Sequence, residues 1–370
     1  MAAALKDQYG PEIPRRVAAM LAGAYPAFDG EGFVAWALDG YEELELTPRG
    51  WRIAEAMQRF LPADYEAAAA IVRQSLGPTL DEQPSTGLGS FLYLPHVLWV
   101  SRYGLDHFET SMALQYELTQ RFTAEFSIRA YLEREPERTL ARLRQWATAP
   151  SQHVRRLVSE GTRPRLPWAA RLRDFQRDPT PVLALLELLR DDPELYVRRS
   201  VANNLNDIGK DHPDILAATA TRWLRDAPPE REWLVRHALR SAIKRGEPGA
   251  FAALGYGDAA ALAIRDAQIL PVSPQMGESV TLALTLANPT ARPQRAIVDF
   301  RIGYVKANGS VSHKTFKLKT IELAPGGTVD LRKAVTLADL TTRRHYPGRH
   351  PVELLINARP SPIGHFDLRA

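Results

Sequence analysis

Two related segments, HVRRLVSE at His153–Glu160 and YVRRSVANNLND at Tyr196–Asp207, set Arg155–Arg156 and Arg198–Arg199 43 residues apart. A near-copy at that distance marks a helical repeat. HEAT-type helical hairpins recur every ~40–47 residues, and each buries its apolar face only against a neighbour. A third, weaker copy stands at Trp233–Gly246, WLVRHALRSAIKRG. Apolar residues step by three and four in this region, as at Val197, Val201, Leu205 and Ile208, or at Ala54, Met57, Phe60 and Leu61, which predicts amphipathic helices. On another face of the second copy fall Arg199, Asn203 and Asn206, with Asp207 beside them. The 43-residue offset gives Arg156 and Glu160 the places of Arg199 and Asn203. Both copies therefore offer polar stripes to one concave surface.

The character of the sequence changes near residues 253–275, where helix-forming sequence gives way to Gly, Pro and alternating residues. SVTLALTLAN, AIVDFRIGYV, KTFKLKTIEL, TVDLRKAVTL and HPVELLINA alternate apolar with polar residues between turn signals at Ala291–Pro293, Asn308–Gly309 and Pro325–Gly327, the pattern of a half-buried strand. The expected fold is an all-α HEAT-like repeat solenoid followed by a small all-β Ig-like sandwich of roughly seven strands. The expected division is 1–108, an N-terminal helical part that caps the solenoid; 109–258, the repeats with the groove; 259–270, a linker; and 271–370, the sandwich.

Charge follows the same division. The net charge is only +4, but residues 271–370 carry 14 Lys and Arg against 7 Asp and Glu, while the rest carries 33 against 36. The basic tail suits a polyanionic partner, or equally a solvated basic face. With 370 residues, 45% of them hydrophobic, the chain can bury one large or two ordinary cores. The absence of cysteine removes disulfides, thiolate metal sites and a Cys nucleophile, and points to the cytoplasm. Neither an export signal nor an apolar run long enough for a membrane span is expected.

Most chemical signatures are missing. There is no HExxH, EF-hand loop, Walker loop or GxSxG elbow, and the Gly87–Gly89 GLG is too little for a nucleotide site. The histidines form no ligand cluster, so neither metal nor cofactor is expected, and an enzyme built this way would work with carboxylates. Plainer roles exist for each candidate. Glu125 with Arg129, and Arg156 with Glu160, have the i,i+4 spacing of surface pairs worth about 0.2–0.5 kcal/mol. Asp207 would serve as a cap ahead of Ile208–Gly209. Trp168, after Pro167, would serve as the staple of a repeat junction.

Three motifs in order, RFTAEFSIRAYL at Arg121–Leu132, HVRRLVSEGTRPRLPW ending at Trp168, and YVRRSVANNLNDIGKDHP at Tyr196–Pro213, resemble the AlkC branch of the HEAT-like-repeat alkyl-base DNA glycosylases. Some members of that branch carry a C-terminal Ig-like domain. The resemblance implies a monofunctional, metal-independent enzyme that hydrolyses the N-glycosidic bond of cationic bases, 3-methyladenine and 3-methylcytosine, in double-stranded DNA. It further implies that the base is not flipped into a protein pocket. The site it implies is Glu125, Arg156, Glu160, Trp168 and Asp207. Asp207 is expected to hold the attacking water, Glu125 and Glu160 to supply field, and Trp168 to face the sugar or lesion. Arg155, Arg163, Arg165, Arg198 and Arg199, and in the tail Lys314, Lys317, Lys319, Arg343 and Arg344, are expected to contact DNA. The protein is expected to be a monomer, with no membrane or nucleotide cofactor among its partners. The rival expectation is a HEAT scaffold that binds DNA or protein without catalysis.

Overall fold

A computed structural model describes residues 5–84, 89–256, 261–340 and 344–370. The chain forms two compact units, Met1–Asp211 and His212–Ala370. Contacts thus group the last helices with the strands, whereas composition alone places the boundary at the change from helix to strand.

Among the described residues the regular elements of the first unit are all helices. Local chemistry sets helix ends: the Asp29 carboxylate caps Gly30–Leu38 by accepting from Gly32 N at 2.8 Å, and Asp64 caps Tyr65–Ser75 by accepting from Ala67 N at 2.9 Å. Each satisfies a backbone donor that has no partner within its helix. Pro136 begins its helix where an absent N–H costs nothing. The anticipated apolar stripes are buried: Val197, Val201, Leu205 and Ile208 are at most 1% exposed.

Two helix contacts position the site. Gln152–Gly161 packs against Leu195–Ile208, and polar bonds pin the pair in register. Asn204 Nδ2 donates to the Ser159 carbonyl at 2.7 Å and to Thr162 Oγ1 at 3.1 Å, while Ser159 Oγ donates to Ser200 Oγ at 2.7 Å. Gly161 permits the other contact. A Cβ there would stand 2.5 Å from Ile128 Cγ2 on Ser127–Arg134, so a larger residue would require the Ile128 side chain or its helix to shift.

Among the described residues of the second unit, helices Pro213–Trp223, Pro229–Arg245 and Pro248–Ala253 precede seven strands. These are β1 (Ala263–Leu270), β2 (Ser279–Ala287), β3 (Gln294–Val305), β4 (Val311–Leu323), β5 (Thr328–Thr336), β6 (Gly348–Ile356) and β7 (Arg359–Leu368). They form two antiparallel sheets, β1-β2-β5 and β4-β3-β6-β7. Val280, Leu282, Phe300, Ile302, Val352 and Phe366 fill the core, together with a second group around Leu286, Val298 and Leu354. The Asn308–Gly309 and Gly326–Gly327 turns connect β3 to β4 and β4 to β5, and Gly309 and Gly326 take φ values of +77° and +72°, which side-chain-bearing residues reach only with strain. Strand β1 occupies residues 263–270, within the expected linker. Its alternation is interrupted by a bulge between Arg265 and Gln268, where Asp266 has φ +52°.

Candidate active site

The three candidate carboxylates lie in one ion-pair chain in the first unit. Glu125 is in the turn before Ser127–Arg134, Glu160 at the end of Gln152–Gly161, and Asp207 near the end of Leu195–Ile208. Arg156 Nη1 donates to Glu125 Oε2 at 2.5 Å and to Thr123 Oγ1 at 3.1 Å, and its Nη2 lies 3.5 Å from Glu160 Oε1. Arg163 bridges the next pair, with Nη1 to Glu160 Oε1 at 2.6 Å and Nε to Asp207 Oδ2 at 2.9 Å. Ser200 Oγ donates to Glu160 Oε2 at 2.6 Å, and Lys210 Nζ to Asp207 Oδ1 at 2.7 Å.

Burial makes this pairing consequential. Asp207 is 1% exposed and Glu160 6%, and isolated carboxylates so placed would take up protons. Burial indeed opposes the charge on Glu160, but Arg156, Arg163 and the Ser200 hydroxyl outweigh it and hold its pKa below the ordinary range. Burial likewise opposes the charges on Arg156 and Arg163, and their acid partners outweigh it, so both pKa values rise. Glu160 and its two arginines thus hold one another in their charged forms.

Trp168 has the opposite environment. Its ring is exposed, and its backbone has φ +65°, a left-handed conformation uncommon for a residue with a side chain. So exposed a ring staples no repeat junction. Trp168 stands at the rim of a cavity of about 290 Å³ whose walls include Trp51, Phe91, Phe126 and Leu98. The Arg102 guanidinium braces Trp51 from 3.8 Å. Tyr196 adds an aromatic face beside Arg156, with the guanidinium 5.4 Å from its ring centre.

Similarity to known proteins agrees with this geometry. Residues 263–370 match the family described as the C-terminal Ig-like domain of the uncharacterised protein YhaZ. The chain is 35% identical over 355 residues to the uncharacterised protein YhaZ of Bacillus subtilis (strain 168), spanning 95% of this chain and 96% of that protein. The structure of the alkylpurine DNA glycosylase AlkC of Pseudomonas fluorescens, bound to DNA containing an abasic site analog, superposes with a TM-score of 0.88 at 38% identity, covering all of both chains. This chain belongs to the AlkC family. The helical-repeat region followed by an Ig-like domain is the AlkC architecture.

Several residues of this AlkC-family chain work differently from the sequence expectation. Glu125 does not pair with Arg129; it turns to Arg156, 31 residues away. Asp207 does not cap a turn, because its oxygens accept from Arg163 and Lys210. Arg155 and Arg198 each bond within the chain. Arg155 donates to the carbonyls of Ala149 and Pro150 and to the Asp192 carboxylate, and Arg198 donates to the carbonyls of Asp192 and Pro193. Each reaches five and six residues back, so the repeated arginine records a repeated structural bond. Arg163 belongs to the carboxylate cluster, and Arg165 Nε is held by Asp211 at 3.0 Å.

Arg199 is exposed, as are Lys314, Lys317 and Lys319 on β4 and Arg344 beyond β5. Arg343 lies outside the described residues, as do Gly87 and Leu88 of the GLG segment. The repeat pattern did not single out Thr123, Ser200, Lys210 or Tyr196; for Lys210, its i+3 spacing from Asp207 was the available signal. Among the described residues no group of His, Asp and Glu is arranged to hold a metal ion, and no helix is long and apolar enough to cross a membrane.

Proposed function

We propose that this protein removes cationic alkylated bases, 3-methyladenine and 3-methylcytosine among them, from duplex DNA by hydrolysing the N-glycosidic bond without metal or cofactor. It acts as a monomer in the cytoplasm and takes no base into a closed pocket. The observation that carries this reading is the joining of Glu125, Glu160 and Asp207 into one ion-paired array in a chain of AlkC architecture.

A base alkylated at a ring nitrogen already carries positive charge, so its leaving needs no general acid. The glycosidic electron pair moves into the ring and neutralises it. Positive charge then grows on the sugar, which becomes oxocarbenium-like. Fixed carboxylates shielded from water stabilise that charge far better than solvent does. A water oxygen bonds to the anomeric carbon and its proton passes to Asp207. Lys210, with about a third of its side chain exposed, is the partner of Asp207 free to swing toward a phosphate, which leaves one carboxylate oxygen open to that water. The Trp168 face attracts the developing cation. A neutral base gains little from the same array, so preference for cationic lesions follows from the mechanism.

The test is release of 3-methyladenine and 3-methylcytosine from methylated duplex DNA by wild type and Asp207→Asn, with and without EDTA. Wild type releases both whether or not EDTA is present. Asp207→Asn binds the duplex as tightly but is slower by about 10²–10⁴-fold in single turnover, the usual contribution of a positioned base. Duplex binding without release by wild type would instead identify a scaffold.

A further inference from the structure

Arg129 is 5% exposed, yet no carboxylate lies within ion-pairing distance of it among the described residues. Its donors go to backbone. Nη1 donates to the carbonyls of Gly161 at 3.1 Å and Arg163 at 2.8 Å, and Nη2 donates to the carbonyl of Ala170. Burial pushes its pKa down to about 10, the sign of a cation held against a desolvation cost. A surface role would not need so enclosed a charge.

The three acceptors say what this arginine holds. Gly161 ends the helix that carries Arg156 and Glu160. Arg163 supplies the side chain that bridges Glu160 and Asp207. Ala170 lies two residues beyond Trp168, whose φ of +65° must be imposed by its surroundings. One planar guanidinium thus fastens both ends of the 161–170 segment. The close approach of Gly161 to Ile128 brings that segment within reach of its neighbour Arg129. A lysine could not replace it, since one ammonium on a flexible stem does not offer the fork that matches acceptors so disposed.

We infer that Arg129 is a positioning residue for base excision, acting by clamping the 161–170 segment so that Trp168 and the Arg163 bridge keep their places; this rests on the glycosylase reading. It touches neither the reacting atoms nor the catalytic carboxylates. Its removal acts on chemistry through geometry, and displacement of about an ångström costs a reaction on the order of 100-fold.

The experiment compares wild type, Arg129→Lys and Arg129→Met in single-turnover excision of 3-methyladenine, in duplex affinity and in thermal melting, with Arg129→Lys also made in a Trp168→Ala background. Arg129→Lys is expected to excise about 10- to 100-fold more slowly with duplex affinity unchanged. In the Trp168→Ala background the same substitution is expected to cost several-fold less, because the two act through one element. An unchanged rate despite a lowered melting temperature would overturn the inference, as would parallel losses of rate and affinity, or costs that simply multiply. Should Arg129→Met fail to fold, Arg129→Lys carries the comparison. Limited trypsin digestion supplies a readout without catalysis: faster cleavage after Arg165 and Arg171 in folded Arg129→Lys supports the clamp, and unchanged cleavage refutes it. A wild type that excises nothing sinks the glycosylase reading instead, and the digestion still decides whether Arg129 clamps the segment.

Discussion

Replacing Trp168 by glycine separates a reaction role from a packing role, because the structure predicts opposite outcomes for activity and stability. The residue is 74% exposed with φ +65°. A Trp side chain buries about 150–250 Å² when fully enclosed; roughly a quarter of that, at about 25 cal/mol per Å², is a loss of about 1 kcal/mol. Glycine also adds about 0.5–1 kcal/mol of backbone entropy to the cost of folding. Against these, it relieves about 1–2 kcal/mol of left-handed strain. The terms nearly cancel, so the melting temperature is expected to move by no more than about 4 °C. Excision has no such compensation. Losing an aromatic face against a cation costs about 0.5–2 kcal/mol, or about 2- to 30-fold in rate. Trp168→Phe, which keeps a π face, is expected to retain most of it. The assay is single-turnover release of 3-methyladenine under saturating enzyme, beside thermal melts of the three proteins. A drop well beyond 4 °C in Trp168→Gly would return the residue to a structural role, and excision at the wild-type rate would remove it from the mechanism.

Two further outcomes concern pH and DNA. His96 is wholly buried with neither ring nitrogen hydrogen-bonded, and burial lowers its pKa to about 4. As the folded pKa of this base is depressed, its stabilising contribution is full above about pH 6.5 and is lost as pH falls toward 4. The loss is roughly 3 kcal/mol by the end, so urea titrations of wild type and His96→Leu should diverge between pH 7.5 and 4.5, and parallel curves would refute this. Lys314, Lys317 and Lys319 are exposed on β4, and replacing all three with Gln should weaken duplex binding and flatten its salt dependence by up to about three units of slope. An unchanged slope would leave them as a solvated face. Substitution is a cleaner test than truncation at residue 271, which would strip β1 of its partner β2.

The parts of this fold that were legible in the sequence were those with an unbroken period. The buried stripe from Val197 to Ile208 and the inward alternation of β2 and β3 needed no tertiary knowledge. Strand β1 was hidden by its bulge at Asp266, and β7 by Pro360, Pro362 and Gly364, residues that argue against a strand. At the sheet edge, where β7 lies, proline removes no bond the sheet requires. Of the candidate acids, the repeat placed Glu160 and Asp207 on helices, while Glu125 lies in the turn before one. Which cation meets which acid was not legible, because the decisive bonds span 31 and 44 residues and local spacing favoured Arg129 for Glu125. Nor did the repeat show that Arg155 and Arg198 each bond backbone carbonyls five and six residues back, since a structural arginine recurs with the same period as a functional one.

The pairing that sequence could not show would resolve a conflict inherent in the proposed chemistry. Carboxylates meant to stabilise a sugar cation act most strongly away from water, where they are also hardest to keep ionised. Arg156 and Arg163 hold the Glu160 carboxyl below its ordinary range, but cations placed so near would also oppose an approaching positive charge. What reconciles the two is direction. Each guanidinium is fixed on particular oxygens, Arg163 on Glu160 Oε1 and Asp207 Oδ2, while Asp207 Oδ1 accepts from Lys210, about a third of whose side chain is exposed. In the proposed reaction Lys210 exchanges its carboxylate for a DNA phosphate, which confines full exposure of that oxygen to the bound state, and the array presents its negative side when, and where, the substrate's positive charge develops.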